Sequence, residues 1–287
     1  MFYDKYLYQL LIKMDRFMLI YRKLLRNESG NSLIDIMEQI INDLEKDKNK
    51  MYARNIKHTT KEYICEIIQV LSNNTSWRKH IGKIDGRVLN NKHNYYVKIG
   101  VYEKLYELNL NTYLKKNIRA TKVLSIDSTF IPNKNGTEKI GRNAFYKNKK
   151  GIKLTSITDS KGIPLKTRFD RGNRHDARIA PRILNTLDKN RCGNKYILAD
   201  KGYDSKKIRE IIRSKQYKPI IAPRKTNKKE KSLTKSEKII YKKRIIVENS
   251  FAWIRMFAKI DKYYEKTLKS FNGLLLLALS IIIFKRC

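Results

Sequence analysis

Acidic side chains are scarce in this chain. Its 287 residues carry 27 Asp and Glu against 64 Lys and Arg, a formal net charge of +37. A surface with that excess cannot neutralise itself, so it calls for a polyanionic partner, and nucleic-acid phosphate is the commonest. An AT-rich coding bias would raise Lys, Asn, Ile and Tyr together. It would raise Asp and Glu as well, so it does not account for the shortage of acids. Cysteine is nearly absent. Cys65, Cys192 and Cys287 are an odd number without CxxC spacing, which argues against a disulfide framework or a thiolate zinc cluster and suits a reducing compartment. With 12 Gly and 5 Pro, the chain is neither collagen-like nor low-complexity. Long apolar runs are also missing. The amino terminus meets Lys13 and Asp15 before any such run, so no secretory signal is expected. The greasy stretch Phe271 to Phe284 has 14 residues, short of the ~20 that a spanning helix needs, and reads as a buried terminal helix with no membrane partner.

What is present suffices for a core. Hydrophobic residues make up 41% of the chain, and the length suits one large domain or two moderate ones. The first third reads as helical. Ser32 to Asp35 has capping-box form, and Leu33, Ile36, Met37, Ile40, Ile41 and Leu44 follow at helical spacing. Similar patterns run through Tyr63, Ile64, Ile67, Ile68 and Leu71, and through Val101, Leu105, Leu108 and Leu110. From about Lys122 the pattern changes. Val123 to Ile126 reads as a short strand closed by Asp127, and Lys153 to Thr158 and Pro164 to Phe169 as a hairpin around the turn residues Asp159 to Gly162. A helix over Ala177 to Leu187 follows, with Pro181 tolerable only in its first turn. Then come a strand at Tyr196 to Ala199, a helix over Lys206 to Ser214 capped by Ser205, and a strand at Pro219 to Ile221. A long helix after the capping box Thr234 to Glu237 completes the series. The expected class is α/β, with residues 1–118 helical and residues 119–287 forming a mixed sheet flanked by helices.

Two basic, apolar-poor stretches interrupt this scheme. Asn133 to Lys150 holds Arg142 among five lysines and one acid, and Arg224 to Lys235 holds Arg224, Lys225, Lys228 and Lys229 beside the single acid Glu230. Each reads either as a solvated loop or, being close in sequence to a candidate acid, as a contact for DNA phosphates.

In a chain this short of acids, an acid in an apolar context is informative. Asp127 and Asp200 each close an apolar strand, and Glu248 sits on a helix among Ile245, Ile246, Val247 and Phe251, where burial is expected. A buried carboxylate needs a partner or a metal. Three converging carboxylates suit magnesium or a similar hard cation, and two such ions can serve both oxygens of an in-line phosphodiester displacement. At about 100° per residue, Tyr241, Arg244, Glu248 and Arg255 fall within an arc of roughly 60° on one helix face, which offers an acid, two guanidinium groups and a phenol. The alternative reading of that face is an ordinary Arg244 to Glu248 ion pair with no metal.

Tyr241, Arg244, Glu248 and the cation Arg255 resemble the Y-x2-R-x3-E-x6-K signature of insertion-sequence DDE transposases of the four/five supergroup, with Arg where that signature has Lys. The flanking segments agree in order. Ile126 to Thr129 resembles the first-acid block, Gly172 to Asp176 the G-x-x-H-D segment, and Leu198 to Asp204 the L-A-D-K-G-Y-D second-acid block. The likeness covers roughly residues 122 to 284. Before that, Ser76 to Arg78 and Val101 to Leu105 look like the helical end-binding region of these enzymes.

The resemblance implies an RNase H-like catalytic domain over 119–287 and a DNA-end-binding region over 1–118. It implies that Asp127, Asp200 and Glu248 are catalytic and bind two Mg2+ ions, or Mn2+ in their place, and that Tyr241, Arg244 and Arg255 contact element-end DNA. Metal-dependent cleavage at the ends and strand transfer into target DNA would follow, by a homodimer on double-stranded DNA. The location would be the cytoplasmic nucleoid in a prokaryote, or the nucleus or a viral factory in another host. Two alternatives stay open on sequence: a decayed copy that only binds DNA, and an RNase H-like nuclease without strand transfer.

Overall fold

The computed structural model describes residues 32–46, 57–73, 76–189, 195–224 and 232–287. Among the described residues four helices come first: α1 (Leu33–Lys46), α2 (Thr60–Ser72), α3 (Gly86–Ile99) and α4 (Val101–Lys116). α2 starts on a complete capping box, with Thr59 and Glu62 satisfying each other's backbone N–H groups. α4 departs from its expected stripe. It buries Val101, Tyr102, Leu105, Asn109 and Tyr113 and turns Leu108 outward, because a face begun at Val101 and Leu105 returns at Asn109.

The strands are β1 (Val123–Pro132), β2 (Gly141–Asn143), β3 (Lys149–Thr158), β4 (Pro164–Arg171), β5 (Tyr196–Ala199) and β6 (Lys218–Ile221). They form one sheet. β3 pairs antiparallel with β1, and on its other edge antiparallel with β4 and the short β2. β5 pairs parallel with β1, and β6 parallel with β5. Leaving β2 aside, the spatial order is third, second, first, fourth, fifth, with the first three antiparallel and the last two parallel to the first. This is the mixed, RNase H-like sheet expected. The β3–β4 turn is built as its residues suggest: Asp159 Oδ1 accepts from the backbone of Lys161 and Ile163, both at 2.9 Å, and Gly162 takes φ +81°.

The remaining helices are α5 (Asp176–Leu184), α6 (Lys206–Ser214), α7 (Lys235–Tyr241), α8 (Ile246–Arg255), α9 (Ala258–Asp261) and α10 (Leu268–Phe284). α5 ends earlier than expected and carries Pro181 in its second turn rather than its first, which leaves the carbonyl of Ala177 without its intrahelical partner. The long carboxy-terminal helix is broken. Lys242–Ile245 forms a 3-10 turn between α7 and α8, although α7 does begin on the predicted Thr234 and Glu237 capping box.

α10 is apolar on all sides and buried, as its run of Leu and Ile requires, and no helix among the described residues is long and apolar enough to cross a membrane. It packs on α4, α3 and α8, so a single apolar core joins the amino-terminal helices to the sheet. A polar seam crosses that junction. His93 bonds Tyr102 OH at 2.9 Å and Ser270 Oγ at 3.0 Å, Ser270 donates to Glu265, and Trp77 Nε1 donates to Glu265 at 2.9 Å. Burial pushes the His93 imidazole down to about 4.

Candidate active site

β1 carries the first acid, and it does so in mid-strand. Val123 to Ser125 pair in parallel with Tyr196 to Leu198, and there the pairing with β5 stops, while the antiparallel ladder to β3 continues to Pro132. Asp127 therefore does not close the strand as the short apolar run suggests. It lies two residues past the last couple shared with β5, and Asp200 lies two residues past that couple on the other side. The two acids flank the point where the sheet opens. Asp200 caps the following turn through Gly202 N at 2.7 Å, and a side chain on Gly202 would meet its carboxylate at 2.8 Å.

Asp127 accepts from Ser128 N at 2.8 Å and from Arg244 Nη1 at 3.2 Å. Burial, with the charges of Asp200 and Asp176, nevertheless pushes its carboxyl up to about 6 against those two contacts. Beside it, Ser128 Oγ links Thr155 and the buried Tyr203 hydroxyl, which ties β1 to the Asp200 turn.

Glu248 differs from its expected burial: its side chain is 55% exposed. The buried stripe of α8 is Val247, Ser250, Phe251 and Ile254, which leaves Glu248 at the rim facing β1. Asp127, Ser128, Thr129, Glu248, Phe251, Ala252 and Arg255 line one open cleft of about 410 Å³. Arg244 bridges two of the acids, with Nη2 3.3 Å from Glu248 Oε1, and its guanidinium lies 6.0 Å from the Tyr241 ring centroid. Burial works against the charge of Arg244, but Asp127, Tyr241, Glu248 and Asp200 outweigh it and hold its pKa above the ordinary value. Arg255 donates to Thr129 Oγ1 at 2.6 Å and to the Phe130 carbonyl at 3.2 Å. Arg244, Glu248 and Arg255 thus border the same stretch of β1, with Tyr241 beside Arg244 and the Arg244 to Glu248 pair present as well. Among the described residues, no three His, Cys, Asp or Glu side chains are grouped to hold a metal ion, and Arg244 supplies the positive charge between Asp127 and Glu248.

The basic residues divide. Arg142 is exposed on β2, which with the adjoining turn gives the second half of the first stretch regular structure, while 134–140 forms an irregular loop as the alternative reading held. Arg224 is folded back, donating to the carbonyls of Lys201 at 2.8 Å and Gly202 at 2.7 Å, so it braces the Asp200 turn. Lys225, Lys228 and Lys229 lie outside the described residues. Asp204 forms a buried ion pair with Arg209 at 2.9 Å and accepts from Arg224 N, while Ser205 caps α6. Trp253 is half-buried under the Arg286 guanidinium at 4.0 Å. Sequence reasoning missed the Ser128, Thr155 and Tyr203 link, the support of Arg255 by Thr129, and Asp176 as a further negative charge near Asp127. Only the hydroxyls after Asp127 could have hinted at the first two.

An RNase H-like sheet with two acids at its opening and a third on the covering helix defines a class of phosphodiester-processing enzymes. The family described as "Transposase DDE domain" matches residues 119–283. The chain is 29% identical over 130 residues to a transposase for insertion sequence element IS6501 of Brucella ovis, covering 45% of this chain and 95% of that one. It is 26% identical over 138 residues to a transposase for insertion sequence element IS402 of Burkholderia cepacia, covering 46% of this chain and 62% of that one. Among solved structures, a piggyBac transposase synaptic complex with hairpin DNA is similar at TM-score 0.47 and 11% identity, over 93% of this chain and 74% of the other. The chain belongs to the Transposase DDE domain family of insertion-sequence transposases, enzymes that cleave DNA and transfer its strands.

Proposed function

We propose that Asp127, Asp200 and Glu248 are the catalytic acids of this DNA transposase and that they hold two Mg2+ ions, with Mn2+ able to replace them. The observation that carries this reading is the cleft itself, where Asp127 and Glu248 face one another across a single guanidinium with Asp200 at the adjoining strand end. The donor set fits such ions: every candidate ligand is a carboxylate oxygen, the preference of hard divalent cations, and the place between Asp127 and Glu248 already accommodates positive charge. When bound, the ions supply activation of the attacking oxygen and stabilisation of the leaving oxygen.

The protein's own groups do the rest. Ser128 N and Gly202 N orient the carboxylates of Asp127 and Asp200, and Arg224 braces the turn that carries Asp200. Tyr241, Arg244 and Arg255, on the rim above β1, contact the phosphates of the element end, with Arg142, Lys225, Lys228 and Lys229 holding DNA further out. Water opens the end and frees a 3′ hydroxyl, which then attacks target DNA. Residues 1–118 form the end-binding region, and a homodimer brings two ends of double-stranded DNA together. The bacterial relatives suit a cytoplasmic nucleoid location.

The test is incubation of the full chain and Mg2+ with a plasmid carrying the element ends, followed by joining of a pre-cleaved end to a second plasmid. Nicks at the element boundary and joined product, both lost in EDTA, are expected. Nicking without joining would reduce the protein to a nuclease, and binding without nicking would contradict the catalytic reading.

A further inference from the structure

The arm between β1 and β3 holds a residue that catalysis does not use. Phe145 is 90% exposed, the most exposed of the large hydrophobic side chains among the described residues. Its surroundings are ordered. Asn143 is buried, accepting from Phe145 N at 3.0 Å and donating to the Gly172 carbonyl at 3.0 Å, and Tyr146 stacks on Phe130 with centroids 4.7 Å apart. Lys147 and Asn148 close the turn at φ 52° and 54°, a left-handed pair without glycine, a conformation that asparagine adopts readily and lysine does not favour. The residues on either side are anchored and the phenyl ring between them is presented to solvent.

Charge identifies what covers it. From Gly141 to Lys150 the arm carries Arg142, Lys147, Lys149 and Lys150 and no acid. Two such arms would repel one another, whereas a duplex offers phosphates to the cations and base faces to the ring. We propose that this arm is a DNA wedge: Phe145 enters the groove and stacks between bases while Arg142, Lys147, Lys149 and Lys150 hold the flanking phosphates. The proposal rests on the transposase reading above. The pairing of Pro132 with Gly151 puts the root of the arm five residues along β1 from Asp127. At ~3.3 Å per residue that is about 17 Å, the length of roughly five base pairs, and Phe145 lies beyond this root past the pairing of Asn143 with Lys149, so the wedge acts on DNA flanking the scissile phosphate rather than at it. Apolar side chains inserted between base steps kink a duplex, and a kink there would bring the DNA toward the acids.

The experiment uses the full chain and a duplex carrying an element end, with a donor and acceptor dye on either side of the expected kink, titrated at several salt concentrations. Phe145→Ala is expected to bind about tenfold more weakly and to lose the bend signal, with the salt slope of wild type. Phe145→Trp should keep both. Lys147→Ala with Lys149→Ala should lower the salt slope by about two while keeping the bend once bound. Wild-type affinity and bend in Phe145→Ala would overturn the wedge, as would a change in the oligomeric state of the DNA-free protein on that substitution. If wild type itself neither binds nor cleaves the duplex, the transposase reading fails, which is a distinct result.

Discussion

Arg244 is the residue on which the acids now depend. It meets Asp127 at 3.2 Å and Glu248 at 3.3 Å with separate nitrogens, which one ammonium on a flexible stem cannot reproduce. Arg244→Lys is therefore expected to keep the fold and general DNA affinity but to lower end cleavage by about tenfold or more, measured as initial nicking rate at saturating DNA. An unchanged rate would remove the bridge from function. At this scale much was legible. Three acids in apolar settings stood out because acids are so few, and the ordered motifs singled out Tyr241, Arg244 and Arg255 around Glu248. The exposure of Glu248 was not legible, because Ile245, on the apolar side of the pattern, is itself 60% exposed. Which face of a helix is covered depends on the sheet beneath it, and composition alone does not say.

At the scale of elements, most of the expected helices and strands are present, while the stripe of α4 and several terminations differ. β5 and α6 have their expected limits, since each is bounded by turn or capping chemistry. β1 runs six residues past Ile126, because its pairing with β3 continues where its pairing with β5 stops. That mismatch opens the sheet at the acids, and no local pattern encodes it. The 3-10 turn Lys242–Ile245 likewise escapes a helical wheel, although its tighter winding still leaves Arg244 on the β1 side. The β3–β4 turn offers a test of how firmly this frame is set. A Cβ on Gly162 would lie 2.9 Å from the Trp253 ring at a φ that only glycine adopts freely. Gly162→Ala is expected to destabilise the protein by about 1–3 kcal/mol, read as a lower urea midpoint at unchanged slope. A midpoint equal to wild type would show that the turn and α8 yield easily.

Over the whole molecule, two properties make separate predictions. The net charge of +37 requires that DNA affinity fall steeply with salt, linearly on logarithmic axes, and a flat response would contradict phosphate-led binding. The seam at His93 makes the fold acid-sensitive. His93 is neutral in the folded state, with its pKa pushed down to about 4, whereas the unfolded chain takes up the proton near 6.5. Its contribution is therefore nil above pH 6.5. As pH falls from 6.5 toward 4 the unfolded state binds more protons, and stability drops by up to roughly 3 kcal/mol. Asp127, raised to about 6 in the folded state, acts in the opposite direction over the same range, so the His93 effect is read as a difference: between pH 7.5 and 4.5 the urea midpoint of wild type should fall relative to that of His93→Gln. The junction that the seam occupies was only half visible in sequence. The terminal helix was recognisable from its greasy run, but not that α3 and α4 would close over it.

The most direct measurement takes three near-isosteric variants, Asp127→Asn, Asp200→Asn and Glu248→Gln, and follows end cleavage in Mg2+ beside DNA binding by the same preparations. Each alone should abolish cleavage and leave binding and the unfolding midpoint close to wild type. Full cleavage by any one of them would contradict a shared site made of all three.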